Sequence, residues 1–288
     1  MHGLDLRALE IFRTVAIESS VSKAAKKLNR VQSNISTRIK QLEQNLEKTL
    51  FLRQKRGVTL TPDGHLLLQY SERFLQLSQE ASEALKVGKP SGIFRIGAME
   101  STAAARLPEI LARYQERYPD VQIELETGTA GALMNSLLNC DIEIAFIAEP
   151  VSFDNVDTQP VFEEQLILVA PQSFPPLGDM SEISGKTVVA FEAGCAYRRY
   201  LEQWLLDAGI APRSIMTVNS YLAILACISA GTGYAVIPQS VLDMISTMAP
   251  FQRYALPGNL SRIKTLLAWR GDYGSAKLDA LNELLPAC

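Results

Sequence analysis

The sequence predicts two unlike parts. The first is an N-terminal winged helix-turn-helix, all-α with a small wing, followed by a linker helix. The second is a C-terminal α/β domain of two subdomains. Three observations carry this reading. Residues 19–64 hold two short helical patterns in tandem, with a basic strand pair behind them. Residues 86–92 (KVGKPSG) have no apolar stripe and form the clearest break in the chain. Beyond the break, strand and helix patterns alternate to the end, as in α/β architecture with largely parallel sheets.

An opening amphipathic helix covers residues 4–15, with Leu6, Leu9, Phe12 and Val15 on its packed side. Val21, Ala24, Ala25 and Leu28 then recur at i, i+3, i+4, i+7, and Ile35, Ile39, Leu42 and Leu46 restart the period after Asn29 and Arg30. Two small alanines and a short turn let the two helices cross closely, the form of a helix-turn-helix. Away from the second stripe lie Gln32, Ser33, Asn34, Ser36, Thr37 and Arg38. Such side chains hydrogen-bond base edges and phosphates in a major groove. Leu50, Phe51 and Leu52, the basic residues Arg53, Lys55 and Arg56, and residues 58–60 read as a basic two-stranded wing for the phosphate backbone. An ordinary helical hairpin with a solvated charged face would share the stripes; the wing and the basic cluster favour double-stranded DNA.

Charge agrees with that division. The net charge of −3 splits into twelve Lys and Arg against five Asp and Glu in residues 1–60, and sixteen against twenty-six in the remainder. A basic head on an acidic body places the attraction for DNA where the second helix lies.

Thr61 and Pro62 mark the start of a longer helix, as cap and first helical residue. In it Leu67, Tyr70, Phe74, Leu77, Ala81 and Ala84 alternate steps of three and four, the spacing of a coiled-coil seam. A helix packed on its own domain is the other reading. Pairing would supply two recognition helices for two half-sites.

Beyond the break, strands are expected at 93–98, 121–126, 142–148, 165–170, 187–191, 215–218, 235–237 and 265–269. Helices are expected at 102–118, 130–138, 198–208, 222–230 and 276–285, and residues 160–164 read as a crossover between similar halves. Residues 221–238 are uncharged, but Gly231-Thr232-Gly233 interrupts them, so a buried helix turning into a core strand is expected, with no membrane span. The N-terminus has no positive region followed by an apolar core, and a cytoplasmic location with reduced thiols is the expectation.

In open α/β sheets, ligands settle outside the carboxyl ends of strands. Four such junctions are legible: Glu100-Ser101-Thr102, Thr127-Gly128-Thr129, Ala193-Gly194-Cys195-Ala196 and Asn219-Ser220. Helix N-termini there favour a small anion such as a carboxylate. For any single Ser, Thr or Asn, capping alone explains the residue equally well. Arg198 either supplies a countercharge or is a solvated neighbour of Arg199. Cys195, at a helix start, is the one candidate redox thiol; pocket lining is the preferred reading, and Cys140, Cys227 and Cys288 read as structural. An enzyme is not expected. Only His2 and His65 exist, both in the first part, and no CxxC pair, Walker loop or GxGxxG after a strand is present. No metal and no cofactor are expected beyond the small-molecule effector. A solute-binding protein would share the α/β body but not the basic head.

The first segment resembles the N-terminal domain of LysR-type transcriptional regulators. The matching residues are Ala24-Ala25, Ser33 and Ser36, Leu42-Glu43, the run from Leu50-Phe51 through Arg53 to Arg56, and Leu60-Thr61-Pro62-Asp63-Gly64. Glu47 stands where the family often has a helix-ending Gly, and Thr37 where it often has Arg. The α/β part is similar to that family's effector-binding domain, built like a periplasmic solute-binding protein; residues 231–238 (GTGYAVIP) match well, and Glu143 replaces the usual Asp. The resemblance implies a DNA-binding domain at 1–61, a dimerising linker helix at 62–87 and a hinge at 88–92. It implies an effector-binding domain at 93–288, with subdomain I at about 93–161 and 266–288 and subdomain II at about 162–265. It also implies an effector in the cleft between subdomains, with Ser101, Thr102, Thr129 and Asn219 as contacts; Thr127, Cys195, Arg198 and Ser220 join them from the junctions above. A regulator of this type would bind a pseudo-palindromic operator as a dimer or tetramer, with RNA polymerase as a candidate partner. Redox sensing through Cys195 is the alternative, since peroxide-sensing members use a Cys in this loop.

Overall fold

The computed structural model describes residues 4–54, 57–84, 89–151, 153–245, 251–256, 260 and 262–286. The chain separates into two compact units, Met1–Val87 and Gly88–Cys288.

The first unit holds α1 (Leu6–Glu18), α2 (Val21–Lys27), α3 (Gln32–Leu46), the hairpin β1 (Phe51–Gln54) and β2 (Gly57–Leu60), and α4 (Pro62–Ala84). Asp5 caps α1 by accepting from the Arg7 amide, and Ser20 caps α2 by accepting from Lys23. Ile11, Phe12 and Val15 of α1 pack on Ala24 and Ala25 of α2 and on Ile35, Ile39 and Leu42 of α3, with Leu50 and Phe51 closing the core; Leu9 is buried as well. Ala24 is wholly buried, as a close helix crossing requires. Leu6, expected on the packed side, is instead exposed, and Ile11 takes the inner place.

α3 ends at Leu46, and Glu47 itself adopts the left-handed conformation, φ 53°, that closes it. The missing glycine therefore leaves the helix end in place and puts backbone strain on Glu47. Glu43 ties α3 to the wing: its Oε1 accepts from the amides of Leu50 (2.8 Å) and Phe51 (3.2 Å). Val58 N–H donates to the Ser19 carbonyl at 3.0 Å. At neighbouring Gly57, φ 111°, a Cβ would sit 2.5 Å from that same oxygen, so only glycine fits. Thr61 Oγ1 accepts from Gly64 N–H (2.9 Å), capping α4, and donates to the Thr49 carbonyl (2.7 Å).

The second unit runs β3 (Gly92–Ala98), α5 (Glu100–Ala105), α6 (Leu107–Arg117), β4 (Val121–Thr127), α7 (Ala130–Leu138), β5 (Ile144–Ala148), β6 (Val156–Glu164) and β7 (Leu166–Pro171). It continues with β8 (Thr187–Ala190), α8 (Ala196–Asp207), β9 (Ser214–Thr217), α9 (Tyr221–Ser229), β10 (Ala235–Pro238), α10 (Gln239–Met244), β11 (Phe251–Ala255), β12 (Ile263–Arg270) and α11 (Ala276–Asn282). The helix expected over 102–118 is broken at Arg106, because Pro108 opens a new helix.

One sheet has the order β4-β3-β5-β12-β6; β10-β7-β11 and β8-β9 form the other half, joined by a bridge between Val188 and Tyr234. Through that bridge the second half reads β9-β8-β10-β7-β11, the same arrangement as the first. In both halves the first strands run parallel, and β12 or β7 then pairs antiparallel with both its neighbours. The sheets are therefore mixed rather than largely parallel, since β7 and β12 are the strands laid down after each crossing between halves. Residues 160–164, expected as crossover, belong to β6. Pro160 is tolerated there because β6 is an edge strand and its pairing with β12 shifts register beside it.

α6 and α11 cover the outer face of the first sheet with Leu107, Ile110, Tyr114, Leu278 and Leu281, while α9 and α10 cover the second with Ile224, Ile228, Val241 and Leu242. A shared core, including Leu133, Leu137, Leu168, Leu201 and Tyr234, lies between the halves. A buried carboxylate joins them as well: Glu164, at the end of β6, accepts from Arg106 Nε (2.7 Å) and from Ser240 Oγ of α10 (2.7 Å). Residues 221–238 form α9 and β10, and among the described residues no helix is long and apolar enough to cross a membrane.

Candidate functional site

In the first unit, the N-terminus of α3 carries no side-chain cap, and Val31 before it is 68% exposed. Gln32, Ser33, Asn34, Thr37 and Arg38 are exposed on the first turns, and Ser36 is half-buried. Ser33, Asn34, Thr37 and Arg38 line one shallow concavity with Gln41, which sequence reasoning passed over although it lies one turn beyond Thr37. Ser22 of α2 donates to Gln32 Oε1 at 3.0 Å, so the first residue of α3 is oriented by its neighbour helix. Lys55, Arg56 and the side chain of Arg53 lie outside the described residues. A helix presenting uncapped amides and short polar side chains at one end is shaped to meet phosphates and base edges.

On α4, Tyr70, Phe74 and Leu77 are 49, 45 and 49% exposed and share one face, and Ala81 is exposed as well. Leu67, expected in the same seam, is half-buried and packs on the core of its own unit. The apolar face therefore begins one turn later than the sequence pattern.

In the second unit, a cavity of about 240 Å³ opens where the carboxyl ends of β3 and β4 meet those of β8 and β9. Met99, Glu100, Thr127, Gly128, Thr129 and Ala130 come from the first half, and Phe191, Glu192, Cys195, Ala196, Tyr197, Asn219 and Tyr221 from the second. Thr127, Thr129, Cys195 and Asn219 are thus brought together from three of the four junctions, and Glu100 joins them from the fourth. Thr129 Oγ1 caps α7 by accepting from Ala132 N–H, and Asn219 Oδ1 accepts from Glu192 N–H at 3.1 Å. Gly194, φ 97°, brings its loop against Thr129: a Cβ there would stand 3.2 Å from Thr129 Oγ1.

Four expected residues do not line this cavity. Ser101 and Thr102 are buried on α5, and the Ser101 hydroxyl lies beside those of Tyr197 and Tyr221. Ser220 is the N-cap of α9, without a side-chain capping bond. Arg198 is turned away: its Nε meets Glu202 at 2.7 Å and its Nη1 the Phe191 carbonyl at 2.9 Å. One helical turn separates Arg198 from Glu202, and that pairing consumes the countercharge.

The side chains missed by sequence reasoning are the large and acidic ones. Glu100 Oε1 accepts from Tyr221 N–H across the cleft at 3.3 Å, while its Oε2 is buried with no protein partner. Burial raises the Glu100 pKa above the usual carboxylate value. Tyr197 is 3% exposed, and its buried hydroxyl lies beside Ser101 and Thr265. Glu100 stands in the first strand-end junction, but the sequence pattern there points to the small hydroxyl residues beside it.

The thiol of Cys195 is pushed up by burial, against the opposing pull of the Arg198 and Tyr197 amides. Cys140, Cys195 and Cys227 are not in disulfides, and Cys288 lies outside the described residues. Among the described residues no cluster of His, Cys, Asp or Glu could hold a metal ion.

Comparison with known proteins places these features in a family. The profile described as "Bacterial regulatory helix-turn-helix protein, lysR family" matches residues 6–65, and that described as "LysR substrate binding domain" matches residues 88–287. The HTH-type transcriptional regulator GltR of Bacillus subtilis (strain 168) is 35% identical over 270 residues, covering 93% of this chain and 91% of that protein. YusT of the same strain, an uncharacterized HTH-type transcriptional regulator, is 38% identical over 265 residues, 92% of this chain and 89% of its own. Among solved structures, full-length CbnR complexed with its target DNA has a TM-score of 0.71 at 20% identity, covering 98% of this chain and 99% of that one.

Proposed function

The chain belongs to the LysR family of DNA-binding transcriptional regulators, and we propose that it responds to a small anionic metabolite held in the cleft of its α/β unit. The observation that carries this reading is the convergence of four strand ends, two from each half, on one cavity. The N-termini of α7 and α8 both border that cavity, through Thr129 and Ala130 and through Cys195 and Ala196. α8 begins at Ala196 on the cavity wall, and its N-terminal end favours a ligand carboxylate there.

Two copies pair through α4, burying Tyr70, Phe74 and Leu77, and present two α3 helices to successive major grooves of a pseudo-palindromic site. Assembly to a tetramer and contact with RNA polymerase extend the same scheme in the cytoplasm. Ligand binding acts by favouring one arrangement of the two halves, and it shifts DNA binding only by its differential affinity for the two states. A thiol held protonated by burial suits pocket lining better than peroxide sensing, so the metabolite reading stands ahead of the redox one.

A thermal-shift screen of the full chain tests the cleft, with small carboxylates, amino acids and aromatic acids as probes and peroxide in parallel. A ligand that binds only the native state raises the melting temperature. A rise with at least one carboxylate-bearing probe is expected, and Thr129→Val should reduce it. A flat response to every probe, with a peroxide effect lost in Cys195→Ser, would replace this reading with redox sensing.

A further inference from the structure

The cavity wall has a charge pattern that a simple anion does not satisfy. Two carboxylates, Glu100 and Glu192, face it, and among the described residues its lining includes no Lys, Arg or His. Arg198, the nearest candidate cation in the sequence, is already paired with Glu202. A plain carboxylate would therefore enter a site whose only attraction is two helix ends, beside two like charges.

Glu100 sets the requirement most sharply. One oxygen is bound to the Tyr221 amide, and the other is buried without a protein partner. A buried carboxylate oxygen left unpaired is costly, and an N–H donor or an ammonium would satisfy it. The N-termini of α7 and α8 border the same cavity and favour a negative group there.

We infer that the cavity selects a small zwitterion of the α-amino-acid type, its ammonium against the Glu100 carboxylate and its carboxylate at the N-termini of α7 and α8. The inference rests on the cleft being the effector site, and it narrows the ligand class within that reading. Size agrees: about 240 Å³ is room for roughly eight waters at their liquid share, the scale of an amino acid. Met99 and Phe191 give the side chain of the ligand an apolar wall. Burial favours the neutral acid at Glu100, and a bound ammonium would oppose that by stabilising the ionised form.

The test uses the full chain and matched triplets of probes: alanine with propionate and ethylamine, phenylalanine with phenylpropionate and phenethylamine, and so on through the common amino acids. Thermal shift and titration calorimetry should find at least one amino acid that binds, with its deamino acid and its amine each weaker by about tenfold or more. Glu100→Gln should weaken the amino acid by roughly ten- to a hundredfold, the worth of a hydrogen bond to a charged group, and narrow its preference over the deamino acid. Glu192→Gln, at an exposed position, should weaken it less, and it serves if Glu100→Gln fails to fold. Deamino acids binding as tightly as amino acids would overturn the zwitterion while leaving the cleft reading intact. No binding by any acid, amine or amino acid would overturn both.

Discussion

The two units carry their polar chemistry in opposite ways. The head displays it: Gln32, Ser33, Asn34, Thr37 and Arg38 stand in solvent on a helix whose other face is a closed apolar core. The α/β unit buries it: Glu100, Glu143, Glu164 and Tyr197 are drawn inside and matched, or left unmatched, by groups distant in sequence. Substitutions in the head should therefore change binding with little change in stability. Substitutions in the body should change both.

The largest expected effect is in the body. Glu143 and Lys277 form a buried pair at 2.9 Å, with Tyr273 donating to the second carboxylate oxygen. Glu143→Ala takes the carboxylate away from a buried ammonium and should cost about 3–5 kcal/mol, read from urea unfolding. A loss below about 1 kcal/mol would mean that buried charge is no more costly here than at the surface.

In the head, Gln32→Ala should leave the unfolding midpoint within about 0.5 kcal/mol. It should still weaken specific DNA binding by about 1–3 kcal/mol if Gln32 reads a base bidentately. Equal losses on specific and nonspecific duplexes, in a gel-shift titration, would assign the residue to the phosphates instead. Glu43→Ala is the exception that sharpens the contrast, because this head residue acts as a body residue does. It deprives the Leu50 and Phe51 amides of their acceptor and should cost about 1–3 kcal/mol by denaturant melt. The smallest effect is favourable: Glu47→Gly relieves a left-handed residue and should stabilise the head by about 1 kcal/mol or less.

The same contrast decides what the sequence could reveal. The head is built from contacts close along the chain, so its apolar stripes at Ile35, Ile39 and Leu42 and its cap at Thr61 were legible. Its exceptions lie at helix starts, where Leu6 is exposed and Leu67 packs on its own unit. In the body, strand positions were legible from apolar runs, and the four strand-end junctions were found. What lay beyond reach was pairing across the cleft. Nothing local to Glu100 says that Tyr221, far along the chain, will donate to it. Nor does the Arg198 neighbourhood say which of Glu202 or a ligand will claim the guanidinium. Strand direction failed similarly: β7 and β12 look like any buried strand, and only the crossings between halves make them antiparallel.

The most direct test of the central claim is a selection of bound sequences from a random duplex library by the full chain. If two α3 helices of a dimer read successive major grooves, the enriched motif is a dyad-symmetric pair of half-sites about one helical turn apart. Enrichment of a lone half-site, or of no sequence at all, would contradict the paired recognition helices on which the account depends.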